Sequence, residues 1–484
     1  MNRPDAIDRL RAGITWDVLI AGGGATGLYA ALDAASRGHR TLLLECGDFA
    51  CGTSSRSTKL IHGGVRYLRQ GRLGLVRSSL RERTRLLQNA PGIVHPRDFI
   101  VPVYSAWEKI YYGTGLKFYD LLTRGHQPAL SRVLARDATL AALPTLQSGR
   151  LCGGVCYRDG QFDDATLAVA LARTAAQHGA TLLNYAPVTA LLKTGGQVRG
   201  ATAQDRETGE TFELKARVVL TATGVFSDEF RRLDEPRAGP ALAPSQGAHV
   251  VLPREFLPGE TALMIPRTSD GRVLFAIPWL GCVLLGTTDT EVKEVAREPT
   301  PLAEEIDYLL AHAARYLVRA PTRADVLSAF AGLRPLVKAG SGPTSALSRD
   351  HVIGVSAAGL VTITGGKWTT ARKMAEDVVN RAAGLAGLPA RPCRTAALPV
   401  PNPLPPTAGV PDDAFVATAV HETMARTVED VLARRSRLLY LDARAAAGAA
   451  PRIAKVIALA LGHPVAWQTA QVESFRALAA RHLP

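Results

Sequence analysis

The sequence is poor in cysteine and contains no long apolar run, and both shortages restrict what the protein can be. Its six cysteines form no C-x-x-C pair, so we expect reduced thiols, no disulfide framework and no metal site. The apolar tract that begins at Val18 is interrupted by glycines at 22 to 24. Because no other stretch reaches about 18 uncharged apolar residues, we expect neither a membrane-spanning helix nor a signal peptide, and a chain that stays in the cytoplasm.

Acidic side chains are outnumbered by basic ones. The 484 residues include 57 Lys and Arg against 43 Asp and Glu, which gives a net charge of +14. Such an excess favours an anionic partner: a phosphorylated substrate, nucleic acid or the surface of an acidic membrane. No zinc-finger, RNP-like or helix-turn-helix signature accompanies the charge, so nucleic acid is the least favoured of the three.

The length and the turn residues of the chain predict several domains. A chain of 484 residues exceeds the size at which one core stops growing, so two or three domains are expected. The proline-rich segment 399–413 is typical of a linker, and the sequence after it has a helical pattern. Four apolar runs bounded by Pro, Gly or Asp predict antiparallel strands at 249–253, 262–266, 272–279 and 282–289.

A glycine-rich turn near the start of the chain carries the strongest functional signal. Gly22, Gly24 and Gly27 form G-x-G-x-x-G between a strand and a helix, and Glu45 ends the next strand, 18 residues after Gly27. In this pattern the glycines let backbone N–H groups approach a pyrophosphate at the helix N-terminus, and the acidic side chain accepts ribose hydroxyls. The sequence therefore predicts a βαβ dinucleotide site, with FAD and NAD both open at this point.

Two later strand ends favour FAD. The apolar runs 217–224 and 361–366 end in small residues, and the second leads into a further helix. A helix N-terminus that faces a flavin ring would stabilise the negative charge of its reduced form. Two ordinary strand ends are equally compatible with the pattern alone.

Several longer motifs follow one another along the chain: GGGATG with Glu45, TSSRSTKLIHGGVRYL at 53–68, YRDGQFDDATL at 157–167, SQGAHVVLPREF at 245–256, FAGLRPLV at 330–337 and ITGGKWTTARKMAE at 363–376. In these motifs the chain resembles the bacterial FAD-dependent glycerol-3-phosphate dehydrogenases, from about Trp16 to Gly384, and its helical tail is similar to that family's C-terminal domain. The resemblance implies oxidation of sn-glycerol 3-phosphate to dihydroxyacetone phosphate, with a hydride moving from C2 to flavin N5 and electrons passing to membrane quinone. It also implies peripheral attachment to the anionic inner face of the cell membrane, and it is compatible with a homodimer.

The implied fold combines α/β and α+β parts, in the manner of D-amino acid oxidase and glutathione reductase. A Rossmann-like FAD-binding domain is expected beside an antiparallel-sheet substrate domain, followed by a linker and a helical C-terminal domain. The expected boundaries are 1–95 with 160–245 and 330–398 for the first, 96–159 with 246–329 for the second, 399–413 for the linker and 414–484 for the last.

The implied reaction requires a site for a phosphate dianion. Arg66, Arg334, Arg349 and Lys367 are the candidates, since guanidinium and ammonium groups bind phosphate and each lies in a family-like motif. Any one of them alone could as readily be a solvated surface cation. Lys367 could instead stabilise reduced flavin.

The reaction also requires a base for one proton. His249 is the expected base, because a neutral imidazole accepts protons near neutral pH. The strand pattern alone would favour a half-buried histidine satisfied by backbone. Arg334 could polarise the substrate hydroxyl and Tyr67 could hydrogen-bond it, so Arg66, Tyr67, His249 and Arg334 make up the expected catalytic set.

The resemblance extends the FAD site to three stretches beyond the first glycine turn. The hydroxyls and Lys59 of 53–59 would serve the phosphates and ribityl chain, and His62 with its two glycines would turn beneath the flavin. The expected cofactor residues are Gly22, Gly24, Ala25, Thr26, Gly27, Glu45, Thr53, Ser54, Ser55, Ser57, Lys59, Leu60, His62, Gly63, Gly64, Val188, Ala222, Thr223, Gly224, Gly365, Gly366, Lys367, Trp368 and Thr369.

Asp163 and Asp164 precede an Ala/Leu run and are predicted as helix N-caps without a catalytic role.

Two segments are candidates for the membrane contact. Residues 71–88 mix arginines with leucines, as in an amphipathic helix on an anionic surface, and 107–122 contains five aromatic residues that suit an interfacial anchor. The alternative is a helix packed on the FAD-binding domain and a set of core aromatics.

Three other functions stay open on the sequence. An oxidase of the same substrate would pass electrons to oxygen, and an amine or 2-hydroxy-acid oxidoreductase would use the same fold on an unphosphorylated substrate. A non-catalytic flavin-binding protein would use the helical tail as an interaction module.

Overall fold

The computed structural model describes residues 1–64, 73–122, 130–338, 351–404 and 409–484. Most of the strands in these residues belong to two sheets. The strands are β1 (Trp16–Ala21), β2 (Thr41–Leu44), β3 (Leu60–Ile61), β4 (Val94–Val103), β5 (Arg132–Leu134), β6 (Gly153–Phe162), β7 (Thr181–Leu183), β8 (Val188–Thr194), β9 (Gln197–Gln204), β10 (Thr211–Thr221), β11 (Ser245–Pro253), β12 (Ala262–Ile265), β13 (Leu274–Trp279), β14 (Cys282–Gly286), β15 (Thr290–Glu291), β16 (Ser328–Arg334), β17 (His351–Val355) and β18 (Val361–Gly365).

Helices cover the first sheet and build the C-terminal region. They are α1 (Arg3–Arg11), α2 (Ala25–Ser36), α3 (Leu73–Asn89), α4 (Ala106–Leu122), α5 (Arg136–Ala142), α6 (Asp164–Gln177), α7 (Ser227–Arg231), α8 (Ala303–Ala314), α9 (Ala371–Leu385), α10 (Asp413–Thr423), α11 (Leu438–Leu441), α12 (Ala443–Leu461) and α13 (Val465–Ala480), with a π-helical turn over Asp430–Arg435.

The first sheet contains the predicted βαβ unit. β1 pairs in parallel with β2 and β10, β7 follows beyond β2, and β18 follows beyond β10. β1 and β2 are almost completely buried, as expected for parallel strands covered on both faces. Helices α2, α6 and α9 share one hydrophobic core with these strands. The glycine turn of residues 22–24 therefore lies at the carboxyl edge of the sheet, where α/β proteins bind their ligands.

The second sheet is mostly antiparallel, and the prediction for its four middle strands is confirmed. β11 pairs with β14, β14 with β13 and β13 with β12, all antiparallel, and β12 then pairs in parallel with β4. β16 pairs with β11 along its whole length, so residues 330–334 belong to this sheet although they were predicted in the FAD-binding domain. β3 and the end of β6, predicted in the same domain, also pair within this sheet, and the domain boundaries as a whole stay a prediction.

The C-terminal region packs on the second sheet. Its helices bury Phe415, Leu432 and Tyr440 in one cluster with Trp279 and Phe330 of the sheet. Within the described residues, no helix is long and apolar enough to cross a lipid bilayer.

Candidate active site

A cavity of about 1460 Å³ lies between the carboxyl ends of the parallel strands and one face of the second sheet. Ala21, Leu44, Ala222 and Gly365 contribute the ends or exits of β1, β2, β10 and β18 to its wall. His249, Phe275, Met264 and Arg334 contribute the second sheet, and the segment 44–64 runs along one side. The lining of the cavity extends from both glycine turns to the antiparallel sheet.

The first glycine turn has a shape that only small residues permit. Gly22 has a φ of 109°, and a Cβ atom at this position would lie 2.7 Å from the carbonyl oxygen of Ala222. A Cβ atom at Gly27 would overlap the carbonyl oxygen of Gly22, so Gly27 serves helix packing and does not line the cavity. Gly22 and Gly24 do line it, which leaves the start of α2 open to a ligand phosphate.

Glu45 lies at the end of β2 and lines the cavity, as predicted. Its Oε2 accepts a hydrogen bond from the Gly23 amide at 2.5 Å, and its Oε1 accepts one from the Gly47 amide at 2.9 Å. The Cys46 thiol also donates to Oε1 at 3.1 Å, so the carboxylate is fixed and Oε2 is the oxygen that keeps a further lone pair. A carboxylate held in this way fits the hydroxyls of an adenosine ribose.

The segment 53–64 divides into residues that line the cavity and residues that support it. Ser54 accepts a hydrogen bond from the Ala25 amide at 2.9 Å, which joins this segment to the glycine turn. Gly63 packs against Tyr119 and Leu80 with no room for a side chain, and it does not line the cavity. The predicted residues of this segment that do line it are Thr53, Ser54, Ser57, Leu60, His62 and Gly64.

Lys59 does not occupy the predicted position at the FAD phosphates. Its side chain is fully buried outside the cavity lining, and its Nζ donates to Asp164 at 2.7 Å and to the carbonyl of Ser55 at 2.8 Å. Ser55 is also buried and absent from the lining. The Lys59 ammonium is neutralised by its buried ion pair with Asp164, so the role of Lys59 is structural.

The second glycine turn lies where a flavin ring is expected. Gly365, Gly366, Lys367, Trp368 and Thr369 all line the cavity. The indole nitrogen of Trp368 donates to the carbonyl of Ser54 at 3.0 Å, which holds the two turns together. The remaining predicted cofactor residues that line the cavity are Ala25, Thr26, Val188, Ala222, Thr223 and Gly224.

His249 is a buried residue of β11 that faces the cavity. Its Nε2 shares a hydrogen bond of 2.9 Å with the hydroxyl of Thr58, and its ring stacks on Phe330 with 4.9 Å between the centroids. Burial, followed by the positive charges of Lys59 and Arg334, holds the pKa of His249 well below its ordinary value. The imidazole is therefore neutral near pH 7 and has a lone pair for a proton.

Arg334 ends β16 and lines the same part of the cavity. Its Nη2 donates to the hydroxyl of Thr287 at 3.1 Å and its Nη1 forms an ion pair of 3.2 Å with Asp289. A Cβ atom at Gly247 would overlap this guanidinium, so the glycine makes room for it. Of the other predicted substrate residues, Lys367 lines the cavity, whereas Arg66, Tyr67 and Arg349 lie outside the described residues.

Sequence reasoning missed several residues of the cavity. Arg272 follows the Asp-Gly turn before β13 and pairs with Asp270 through a 2.7 Å bond from its Nε. Glu429 and Arg434 reach the cavity from the C-terminal region, and no local pattern in that helical segment indicates it.

The two predicted aspartates have different roles. The Asp163 carboxylate accepts from the Thr166 amide and caps α6, which confirms the predicted N-cap. Asp164 is completely buried and pairs with Lys59 and Arg437 instead.

The fold and the cavity together define a dinucleotide-binding protein with a second, mostly antiparallel sheet over the cofactor cavity. The model of the family described as "FAD dependent oxidoreductase" matches residues 17–376, and that described as "C-terminal domain of alpha-glycerophosphate oxidase" matches residues 413–471. The chain belongs to the FAD-dependent oxidoreductase family, and its cofactor is FAD. The predicted Rossmann-like fold with an antiparallel sheet and a helical C-terminal region is confirmed.

Curated relatives carry the name of one enzyme. The mitochondrial glycerol-3-phosphate dehydrogenase of Rattus norvegicus is 44% identical over 402 residues, which cover 79% of this chain and 55% of that protein. The mitochondrial glycerol-3-phosphate dehydrogenase of Saccharomyces cerevisiae is 40% identical over 439 residues, which cover 82% of this chain and 68% of that protein. The chain thus spans about half the length of the mammalian relatives it matches.

Solved structures agree with this similarity. The glycerol-3-phosphate dehydrogenase of Bacillus halodurans, crystallised with FAD, has a TM-score of 0.81 and 27% identity, and the match covers 100% of this chain and 98% of that chain. The FAD-bound L-alpha-glycerophosphate oxidase of Mycoplasma pneumoniae has a TM-score of 0.58 and 19% identity, with 80% and 98% covered, so it shares the fold.

Proposed function

We propose that the protein oxidises sn-glycerol 3-phosphate to dihydroxyacetone phosphate with FAD as cofactor. The observation that carries the proposal is the placement of His249 and Arg334 on neighbouring strands of the second sheet, four positions apart in the pairing, on the wall of the cavity that both glycine turns also line. A base and a fixed guanidinium are the two groups that oxidation of a phosphorylated alcohol needs. The glycerol-3-phosphate dehydrogenases named above support the choice of substrate.

Each side chain has a task in this reaction. Bound FAD supplies a hydride acceptor at flavin N5 for the hydrogen on C2. His249 takes the proton of the C2 hydroxyl, which a neutral imidazole can do. Arg334, held by Thr287 and Asp289, orients the substrate by binding its phosphate or by polarising the hydroxyl. Lys367, Arg66, Tyr67 and Arg349 complete the proposed substrate site.

The electron acceptor in this proposal is a membrane quinone. One wall of the cavity is apolar, and α4 forms part of it with Tyr112 and Leu116. The other side of the same helix exposes Trp107, Ile110, Phe118 and Leu121, positions that follow helical spacing, and the partly exposed Tyr111 lies between this side and the cavity. An apolar stripe beside an apolar cavity suits a lipid-soluble quinone and a membrane surface.

The predicted basic helix supports the membrane contact only in part. Arg77 and Arg81 of α3 are exposed, but Arg83 is buried against Asp159 and Arg85 pairs with Glu82. The proposed contact therefore depends mainly on the apolar stripe of α4. Attachment to the inner face of the cell membrane, a bacterial origin and a homodimer stay parts of the proposal.

The experiment is anaerobic reduction of the purified yellow protein. Addition of glycerol 3-phosphate should bleach the flavin absorbance, whereas glycerol without the phosphate should leave it unchanged at the same concentration. No bleaching by glycerol 3-phosphate, or equal bleaching by both compounds, would contradict the proposal.

An oxidase is the second candidate, because the C-terminal residues 413–471 match a domain named after alpha-glycerophosphate oxidase. The reoxidation step separates the two. A dehydrogenase should reduce a quinone analogue faster than it produces hydrogen peroxide from oxygen, and the opposite ratio would favour the oxidase.

A further inference from the structure

The C-terminal region reaches into the cofactor cavity through the π-helical turn 430–435 and the residue before it. Arg434 and Glu429 both line the cavity, although they lie more than fifty residues after the last strand of the first sheet. The side chain of Arg434 is 1% exposed. A buried guanidinium at the wall of a ligand site requires partners for its charge.

Arg434 has three such partners, one for each nitrogen. Its Nε donates to Asp48 at 2.5 Å, its Nη1 to Glu429 at 2.5 Å and its Nη2 to Asp430 at 2.6 Å. Asp48 belongs to the segment that follows Glu45, whereas Glu429 and Asp430 belong to the C-terminal region. The guanidinium therefore joins two parts of the chain that are nearly four hundred residues apart.

Arg435, a second arginine of the same turn, also forms an ion pair with Asp48. Arg435 donates to both carboxylate oxygens of Asp48, at 2.6 and 2.9 Å, and both side chains are fully buried. Burial raises the pKa of Asp48, but Arg435 and Arg434 outweigh this and hold the pKa below its ordinary value. Asp48 is thus a permanent anion that fixes the segment carrying Glu45.

The neighbouring stretch of wall, Tyr185–Val188, is tied to the same turn. The Tyr185 hydroxyl donates to Asp430 at 2.6 Å, and the Tyr185 amide donates to the carbonyl of Gly47 at 2.8 Å. Tyr185 lines the cavity, and it is followed by Pro187 and Val188, which line it too. Both stretches of wall beside the ribose-binding Glu45 are therefore held by residues 430–435.

We propose that the C-terminal region is part of the FAD site, and that Arg434 is a positioning residue that retains the adenosine half of the cofactor. It acts by fixing the Glu45 segment and the Tyr185–Val188 wall against each other. The flavin half lies at the other glycine turn, so its surroundings do not depend on Arg434. The proposal concerns FAD alone and is independent of the substrate.

The test compares Arg434→Gln with Arg452→Gln in the full-length holoenzyme. Arg452 is a half-exposed arginine of α12 in the same region, paired with Asp413 at 3.4 Å and absent from the cavity lining. FAD release on dilution, followed by the recovery of flavin fluorescence, gives the dissociation constant. For Arg434→Gln we expect this constant to rise about ten-fold or more, since the charge-assisted hydrogen bonds to Asp48, Glu429 and Asp430 are lost, and for Arg452→Gln no change.

Three further readouts separate positioning of FAD from a general loss of stability. At saturating FAD, the visible spectrum of the bound flavin and the KM for substrate should match those of the parent. The midpoint of thermal unfolding should fall in low FAD and recover as FAD is added. Arg434→Lys should retain FAD better than Arg434→Gln, because it keeps a charge beside Asp48.

An unchanged dissociation constant in Arg434→Gln would overturn the proposal. So would a loss of unfolding temperature that added FAD does not restore. If Arg434→Gln does not fold, Tyr185→Phe decides: it removes the hydrogen bond that ties the Tyr185–Val188 wall to Asp430, and FAD affinity equal to that of Arg452→Gln would then overturn the proposal.

Discussion

The carboxylate of Asp164 and the ammonium of Lys59 form an ion pair of 2.7 Å in which neither side chain is exposed. Arg437 of the C-terminal region donates to the same carboxylate at 2.9 Å. The pair therefore connects the cofactor segment, the start of α6 and the C-terminal region. The Lys59 ammonium also lies 5.3 Å from the centre of the Phe330 ring, and that ring stacks on His249. A purely structural cluster thus supports the wall that carries the proposed base.

Asp164→Asn should strongly destabilise the protein. The change leaves Arg437 charged and buried without its carboxylate and removes the ion-pair partner of Lys59, whose pKa burial already lowers to about 7, and breaking such a pair costs about 3–5 kcal/mol. Asp412→Asn is the matched control, because Asp412 also caps a helix, α10, through the Phe415 amide, asparagine caps a helix about as well as aspartate, and the loss should stay below about 0.5 kcal/mol. The free energy of unfolding in denaturant measures both. Equal losses in the two variants would contradict the assigned difference.

Arg334→Ala should abolish most turnover while FAD stays bound. Charge-assisted hydrogen bonds to a substrate contribute about 1.5–3 kcal/mol each, so kcat/KM should fall at least about ten-fold, and by about a hundred-fold if two bonds are lost. Arg323→Ala, at an exposed arginine paired with Asp307, should leave kcat/KM unchanged. Activity of Arg334→Ala equal to that of Arg323→Ala would remove Arg334 from the site.

His249→Asn should lower kcat by about 10²–10⁴, the usual contribution of a positioned base. The parent should gain activity as the pH rises through the pKa of His249, and because that pKa is lowered, the midpoint should lie below the ordinary histidine value of about 6.5. Asparagine has no titrating group, so this acid limb should disappear from the pH profile of the variant.

The same histidine affects stability with a defined sign. Below about pH 6.5 the unfolded chain binds a proton at this position while the folded chain does not, so the free energy of unfolding should fall as the pH falls. The acid-induced decrease in the free energy of unfolding should be smaller in His249→Asn than in His421→Asn. His421 is the control because it is exposed on α10. A pH dependence of unfolding that is identical in both variants would contradict the buried, neutral state of His249.

Gly22→Ala should impair FAD retention and folding together. The positive φ and the 2.7 Å approach of a Cβ atom to the Ala222 carbonyl require the backbone to move, at a cost of about 1–3 kcal/mol. Gly354→Ala is the control, because a Cβ atom there meets nothing within 4 Å. The flavin-to-protein absorbance ratio of the purified proteins should fall only in Gly22→Ala.

Local signals explain which parts of the fold could be predicted. The βαβ unit depends on residues within one stretch of about thirty, and glycine and acidic positions in it have fixed physical roles. The antiparallel strands were recognisable because Pro, Gly and Asp separate short apolar runs. In each case the sequence pattern and the structure that it produces occupy the same segment.

Long-range pairing explains what the sequence did not reveal. Lys59 looks like a phosphate ligand until Asp164, 105 positions away, is seen beside it. The partner of Asp48 lies 386 positions away, and Thr58 meets His249 across 191 positions. β16 joins the second sheet for the same reason, since its partner β11 begins more than eighty residues earlier. A periodicity within one segment contains no information about such contacts.

The exposed stripe of α4 allows a direct test of the proposed membrane contact. Trp107 is 71% exposed and Ile110 is 59% exposed, and burial of two such side chains in a lipid interface would contribute about 1.5–3 kcal/mol each. Trp107→Ser with Ile110→Ser should therefore reduce binding to vesicles that contain acidic lipid by at least about ten-fold. Leu459 and Val465, at 75% and 74% exposed, lie in the C-terminal region and provide the matched double variant to serine. That control should bind vesicles as the parent does, because its exposed apolar side chains are lost at a different surface. Co-sedimentation with the vesicles measures all three proteins, and an equal loss in both double variants would show that general hydrophobicity, and not the stripe of α4, governs the binding.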